Sequence, residues 1–76
     1  MGKRHFEPKK VSKALGLKIR ELRNNKNWTL EECEEHGWLN WRHLQSIEAG
    51  KNITIYTLIN LSNLFGVHPS VLFEDI

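Results

Sequence analysis

The sequence predicts a compact all-α domain built from five helices, and three observations carry this prediction. The chain has 76 residues, which suffice for one small domain with a thin core. Apolar residues recur at helical spacing, as at Val11, Leu15, Ile19 and Leu22. Four helix starts share a pattern in which an apolar residue before the cap pairs with another inside the helix. These pairs are Trp28 and Cys33, Leu39 and Leu44, Ile53 and Leu58, and Val67 and Leu72.

The first helix is predicted over residues 8–24, after a flexible basic arm at residues 1–7. Pro8 suits the first helical position, with Phe6 and Val11 as the flanking apolar pair. A shorter helix capped by Ser12 is the alternative. Gly16 is expected to weaken the middle of this helix, because glycine has a low helix propensity.

The two central helices are predicted to be short and to be joined by a tight turn. Thr29 caps the first of them, and Glu32 completes a capping box. Asn40 caps the second, and Gly37 and Gly50 end the two helices. A turn this short makes the helices cross steeply and leaves the second one partly exposed, as a recognition helix must be. The two helices are therefore predicted to form a reading unit for DNA.

The remaining chain predicts one more full helix and a short final one. Thr54 caps the fourth helix, which ends at Gly66. Its inner side is expected to carry Ile55, Leu58, Leu61, Ser62 and Phe65. The fifth helix starts at Pro69, with Phe73 directed back towards the core.

The composition excludes several classes of function. Cys33 is the single cysteine, so no internal disulfide can form, and a cytoplasmic location is expected. No signal segment and no membrane span are evident. Cys33, His36 and His43 lack the paired spacing of metal ligands, and a thiol on a buried helix face is normally inert. We therefore expect neither an enzyme, a metal site nor a cofactor, and nothing indicates a small-molecule effector.

Charge is distributed unevenly along the chain. Residues 1–26 hold nine of the eleven lysines and arginines and only two acids, Glu7 and Glu21. The first central helix instead carries a cluster of acids at residues 31–35, which would repel a nearby phosphate backbone unless it is simply a solvated face. The basic arm with Lys3, Arg4, Lys9 and Lys10 could track phosphates or enter a minor groove, or it could merely aid solubility.

Several short segments are each unspecific when taken alone, but their joint order and spacing are specific. They are residues 18–23, 29–32, 44–50 with an Ile-Glu-x-Gly ending, 57–58, and 65–73. Over residues 15–73 the chain thus resembles, without a gap, the helix-turn-helix domains of Cro and cI repressors, called the XRE family. The resemblance implies a lambda-repressor-like fold whose recognition helix, from Asn40, lies in the major groove of double-stranded DNA.

The resemblance places four side chains at base-contacting positions: Trp41, Arg42, His43 and Ser46. A rotation of about 100° per residue supports Arg42 and Ser46, because they point outward when Leu44 and Ile47 point inward. Arg42 can grip guanine with two hydrogen bonds, whereas Ser46 specifies weakly. Trp41 could instead pack over the edge of the domain, and His43 could be an idle surface histidine.

Other positions are expected to meet the DNA backbone, which positions a protein without specifying sequence. They are Thr29, Asn40, Gln45, Gly50, Lys51 and Asn52, although Gln45 could instead bond adenine or remain solvated. In relatives, residues matching Arg23 and Glu48 form a structural pair between helices. Leu30 replaces a phosphate-binding glutamine of most relatives. Trp38 and Glu34 stand where relatives favour glycine and a small residue, so the turn is expected to be rebuilt.

The sequence therefore predicts an operator-binding regulator of transcription that acts as a homodimer. Its small single-domain form is typical of prokaryotes and phages, in which it would associate with the nucleoid when bound. Apolar candidates for the dimer contact are Ile59, Leu64, Val71 and Ile76. The alternative is a protein-binding module of the same fold, such as an antitoxin or adaptor, that uses the acidic helix with Trp38 and Trp41.

Overall fold

The computed structural model describes residues 5–74 and 76, and it contains four α-helices followed by a 3₁₀ helix. No strand occurs within these residues. The α-helices are α1 (Pro8–Asn25), α2 (Leu30–Glu35), α3 (Trp41–Glu48) and α4 (Ile55–Phe65), and the 3₁₀ helix spans Pro69–Phe73. The prediction of five α-helices is thus wrong in its last member, because this five-residue segment closes with the tighter three-residue turn used by short helices.

The ends of α2 follow the local signals in the sequence. Glu32 N–H donates to Thr29 Oγ1 at 3.1 Å, and Thr29 N–H donates to Glu32 Oε1 at 2.8 Å, which completes the predicted capping box. At the other end Gly37 has a φ of 107°. Trp38 N–H donates to Cys33 O at 3.0 Å, and Gly37 N–H donates to Glu34 O at 3.1 Å, so α2 closes in a Schellman motif.

The core lies where all the elements meet. Its buried apolar side chains are Leu15, Ile19, Cys33, Leu44, Ile47, Leu58, Leu61, Phe65 and Leu72. Ser62 is buried with them and satisfies its hydroxyl by donating to Ile59 O at 2.7 Å. Every residue of this core lies at a position that helical periodicity predicts to face inward, with Cys33 among them as inert packing.

Four apolar residues predicted to pack inward are exposed instead. Phe6 is 54% exposed, so it does not form the predicted apolar pair with Val11. Leu39 is 96% exposed, so it makes no staple with Leu44. Ile55 is 74% exposed, because α4 packs against the core only from Leu58 onward. Phe73 is 44% exposed, since the three-residue turn of the 3₁₀ helix directs Leu72 inward in its place.

Helix α1 crosses the end of α3 at Gly16. A Cβ atom at this position would lie 2.5 Å from Ile47 O and 2.6 Å from Glu48 O. Gly16 is buried within the 18-residue α1, which begins at Pro8 rather than after Ser12. Glycine is therefore needed here for the close approach of α1 to α3, although the sequence alone suggested only a weak point in the helix.

Lys9 and Lys10 lie in the first turn of α1 rather than on an arm. Lys3 and Arg4, the other basic residues of the predicted arm, lie outside the described residues. Among the helices that the structure describes, none is long and apolar enough to cross a membrane.

Candidate nucleic-acid interface

Helix α3 has one buried and one exposed face, as a recognition helix requires. Leu44 and Ile47 are buried, whereas Arg42, Gln45 and Ala49 are exposed. The row of exposed residues runs along the whole helix and onto its C-terminal cap. A rotation of about 100° per residue thus predicts the outward direction of Arg42, Gln45 and Ala49 correctly. Ser46, which it also directs outward, is half-buried.

The candidate base-contacting side chains differ in their exposure and in their contacts with the rest of the protein. Arg42 is exposed, and its guanidinium carbon lies 5.2 Å from the centre of the half-buried Trp41 ring. The His43 ring stacks on Trp38 with 5.8 Å between ring centres. Ser46 donates its hydroxyl to His43 O at 2.8 Å. Arg42 is consequently the candidate best placed to reach a base edge, while His43 and Ser46 are partly engaged within the protein.

The first N–H groups of α3 are already occupied by protein side chains. Trp41 N–H donates to Glu34 Oε2 at 2.7 Å. Asn40 Oδ1 accepts from Arg42 N–H at 2.8 Å and from His43 N–H at 3.4 Å. Asn40 Oδ1 is thus occupied, and any phosphate contact of Asn40 would come from a donor group, either its side-chain NH₂ or its backbone N–H. The sequence did not indicate the hydrogen bond from Trp41 N–H to Glu34, because it joins two residues across a turn whose course depends on the rest of the fold.

The start of α2 presents a hydroxyl beside a carboxylate. The capping box uses the Thr29 N–H, and Thr29 Oγ1 accepts a bond, which leaves the hydroxyl hydrogen to donate to a phosphate. The hydrogen bond from the Thr29 backbone lowers the pKa of the Glu32 carboxyl below its usual value. Glu32 therefore remains charged at neutral pH, which opposes the approach of a phosphate at this point.

The loop after α3 offers side chains rather than amides. Gly50 N–H donates to Ile47 O at 3.0 Å, and Lys51 N–H donates to Ser46 O at 3.1 Å, so both groups close the end of α3. The side chains of Lys51 and Asn52 are exposed. Contacts of this loop with a phosphate would consequently use these two side chains or the Asn52 N–H rather than the amides of Gly50 and Lys51.

Arg23 and Glu48 hold α1 and α3 together, as the resemblance implied. Arg23 donates from Nε to Glu48 Oε2 at 2.7 Å and from a terminal nitrogen to Glu48 Oε1 at 3.0 Å. It also donates to Trp28 O at 2.8 Å. The hydrogen bond with Glu48 raises the pKa of Arg23. The pair fixes the recognition helix relative to α1 and is not available to read DNA.

Trp38 and Leu39 take opposite positions in the turn between α2 and α3. Trp38 packs against the core, while Leu39 projects into solvent. The positive φ falls at Gly37, directly before the tryptophan. A large indole therefore fills the space under this turn, and Leu39 is displaced to the outside.

The described residues present no group of three or more His, Cys, Asp or Glu side chains that could hold a metal ion. Burial raises the pKa of the Cys33 thiol, which keeps it protonated and unreactive at neutral pH. Cys33 therefore acts as a small apolar side chain in the core.

Two capped helices joined by a tight turn, with an exposed second helix, define a helix-turn-helix domain. The family model described as Helix-turn-helix matches residues 19–72, and the chain belongs to this family of Cro- and cI-like domains, whose members are DNA-binding regulators. No curated protein and no solved structure gives a significant match to the chain.

Proposed function

We propose that this protein is a sequence-specific regulator of transcription that binds an operator in double-stranded DNA through α3. The observation that carries the proposal is the exposed guanidinium of Arg42 on a helix that is capped at its start and held at its end by Arg23. A fixed helix lets one arginine select guanine, because both hydrogen bonds to the base edge need a defined approach. Occupation of the operator would then block or recruit polymerase in the cytoplasm.

Arg42 and Lys51 are expected to contribute to binding in different ways. Arg42→Ala removes a side chain proposed to contact a base edge and should relax the preference at one base pair, at a cost of about 1–3 kcal/mol. Lys51→Ala removes a phosphate contact and should weaken binding to all sequences alike. Binding of both variants to a library of single-base changes in the selected site measures the difference. Identical profiles for the two variants would contradict the assignment.

We further propose that the protein binds as a symmetric dimer. Ile59 and Ile76 are exposed, and Leu64 and Val71 are half-buried, so these residues can supply a self-complementary apolar contact. A dimer of this kind predicts an inverted repeat with half-sites about 34 Å apart on one face of the duplex. Gel filtration with and without such a duplex tests the proposal, and a monomer under both conditions would contradict it.

A protein-binding module is the second candidate, and it is favoured by a groove next to the turn between α2 and α3. The groove has a volume of about 500 Å³ and lies between Trp38 and Leu39 on one side and Tyr56 and Leu64 on the other. Within the described residues, the buried Nε1 of Trp38 finds no hydrogen-bond acceptor. Because this atom is fully covered, the candidate is supported by the groove itself, in which a partner would contact the exposed side chains of Leu39 and Tyr56.

Salt dependence separates the two functions. Binding to DNA through several phosphates should weaken steeply with salt, with a slope of about 0.9 in log–log form for each phosphate engaged. Binding through an apolar groove depends little on salt, because it releases few counterions. Titration of DNA binding over a range of salt concentrations therefore shows whether phosphates carry the affinity.

A further inference from the structure

A basic cleft lies between the start of α1 and the loop that follows the recognition helix. Its volume is about 550 Å³. The lining residues used below are Lys9, Ser12, Lys13, Ala49, Gly50 and Asn52. No acidic side chain lines the cleft within the described part of the chain, so its charge is wholly positive.

The packing of α1 on α3 places these lysines beside the loop. Gly16 allows α1 to cross the end of α3 at close range. Three residues earlier in α1, Lys13 lies against Gly50: a Cβ on this glycine would be 3.4 Å from Lys13 Cα and 3.7 Å from Lys13 Cγ. Lys9 precedes Lys13 by four residues and so shares its side of the helix.

The cleft is continuous with the face of α3 proposed to read DNA. Ala49 belongs both to the exposed row that begins at Arg42 and to the wall of the cleft. Lys9 and Lys13 are exposed, and neither forms an ion pair with any residue in the described ranges 5–74 and 76. Their ammonium groups, the Ser12 hydroxyl and the Asn52 amide can all donate hydrogen bonds to an anion.

We propose that this cleft binds a backbone phosphate of DNA, with Lys9, Lys13 and Asn52 as its ligands. The inference rests on the proposed binding of DNA by α3 and extends that interface onto α1. A duplex against the exposed row of α3 would pass the cleft at Ala49, where its phosphates meet the positive charge. The basic start of α1 thereby compensates for the acidic α2, which repels the backbone at the opposite end of the reading unit.

The test compares lysines inside and outside the cleft on the selected duplex. Lys9→Gln and Lys13→Gln remove a charge while keeping most of the side-chain length. Lys10→Gln removes the same charge from the same helical turn, but Lys10 does not line the cleft. Each variant is titrated with DNA at several salt concentrations, and its melting temperature is compared with that of the wild type.

The proposal predicts that Lys13→Gln lowers the log–log salt slope by about 0.9, the change for one phosphate, with the base preference unchanged. Lys13→Arg should restore the slope, and Lys10→Gln should leave it near that of the wild type. Equal salt slopes for Lys10→Gln and Lys13→Gln would contradict phosphate binding in the cleft but would leave the proposed operator binding unaffected. Failure of the wild type to bind any DNA would overturn both proposals.

Discussion

The ion pair between Arg23 and Glu48 is the polar contact on which the orientation of α3 most depends. Its two side chains are only 11% and 8% exposed, and two short hydrogen bonds join them. A buried carboxylate that loses its partner retains the cost of desolvation without the attraction that offset it. We therefore expect Arg23→Met to lower the free energy of unfolding by about 3–5 kcal/mol in urea titration.

Arg20→Met is the matched control for this prediction. Arg20 is 62% exposed and lies 4.0 Å from the same carboxylate, so its loss should change the free energy of unfolding by less than about 1 kcal/mol. Equal losses for the two variants would contradict the structural role of Arg23. The pairing itself was indicated in advance only by the family resemblance, because the two residues lie 25 positions apart.

The capping carboxyl of Glu32 should make stability depend on pH in the acidic range. Its pKa in the folded protein is lowered by the bond from the Thr29 backbone. The stabilisation is therefore fully present above the unfolded pKa, about 4.3, and disappears as pH falls through the folded value. Thermal melts should show that Glu32→Gln is less stable than the wild type at pH 7, with the difference narrowing below about pH 4. A constant difference across this range would contradict the account, and Glu31→Gln is the control from the same turn.

At the scale of elements, the crossing of α1 and α3 depends on the absence of a side chain at Gly16. Helix propensity alone predicts that Gly16→Ala stabilises α1 by about 1 kcal/mol. The packing predicts the opposite, because the new methyl group would lie 2.5 Å from a backbone carbonyl oxygen that cannot move away without shifting α3. We expect a loss of about 1–3 kcal/mol, measured by urea unfolding.

Leu17→Ala is the control for this prediction, since Leu17 follows Gly16 in α1 but is 57% exposed. It should change stability far less than Gly16→Ala. A more stable Gly16→Ala variant would show that the two helices do not approach as closely as described. DNA binding by the same variant should also weaken, because displacement of α3 moves Arg42 away from its base.

The starts and ends of the helices were predictable because capping is local. Thr29, Asn40 and Thr54 each bond within three residues, and the sequence contains all that this geometry requires. The position of Leu39 was not predictable in this way, since the local pattern of apolar residues paired it with Leu44 and cannot show that the core has no room for it. Two further features were not predictable from the sequence, the contact between Glu34 and Trp41 and the cleft beside Gly50. Each depends on how separate helices pack.

At the scale of the whole molecule, opposite charges lie at the two ends of the proposed DNA interface. Basic α1 lies beside the end of α3, whereas α2, with four acids among its six residues, lies beside the start of α3. With this arrangement, the electrostatic attraction for DNA is strongest near the loop after the recognition helix. The DNA would therefore be held mainly by α1, by the loop and by Arg42.

Selection of bound duplexes from a random-sequence pool at physiological salt tests specific operator binding most directly. Operator binding by a dimer through α3 predicts enrichment of an inverted repeat with guanine at the position that Arg42 contacts. Retention of DNA without any sequence preference would contradict base reading by α3. If no DNA were retained, the groove beside Trp38 and a protein partner would become the better explanation of this surface.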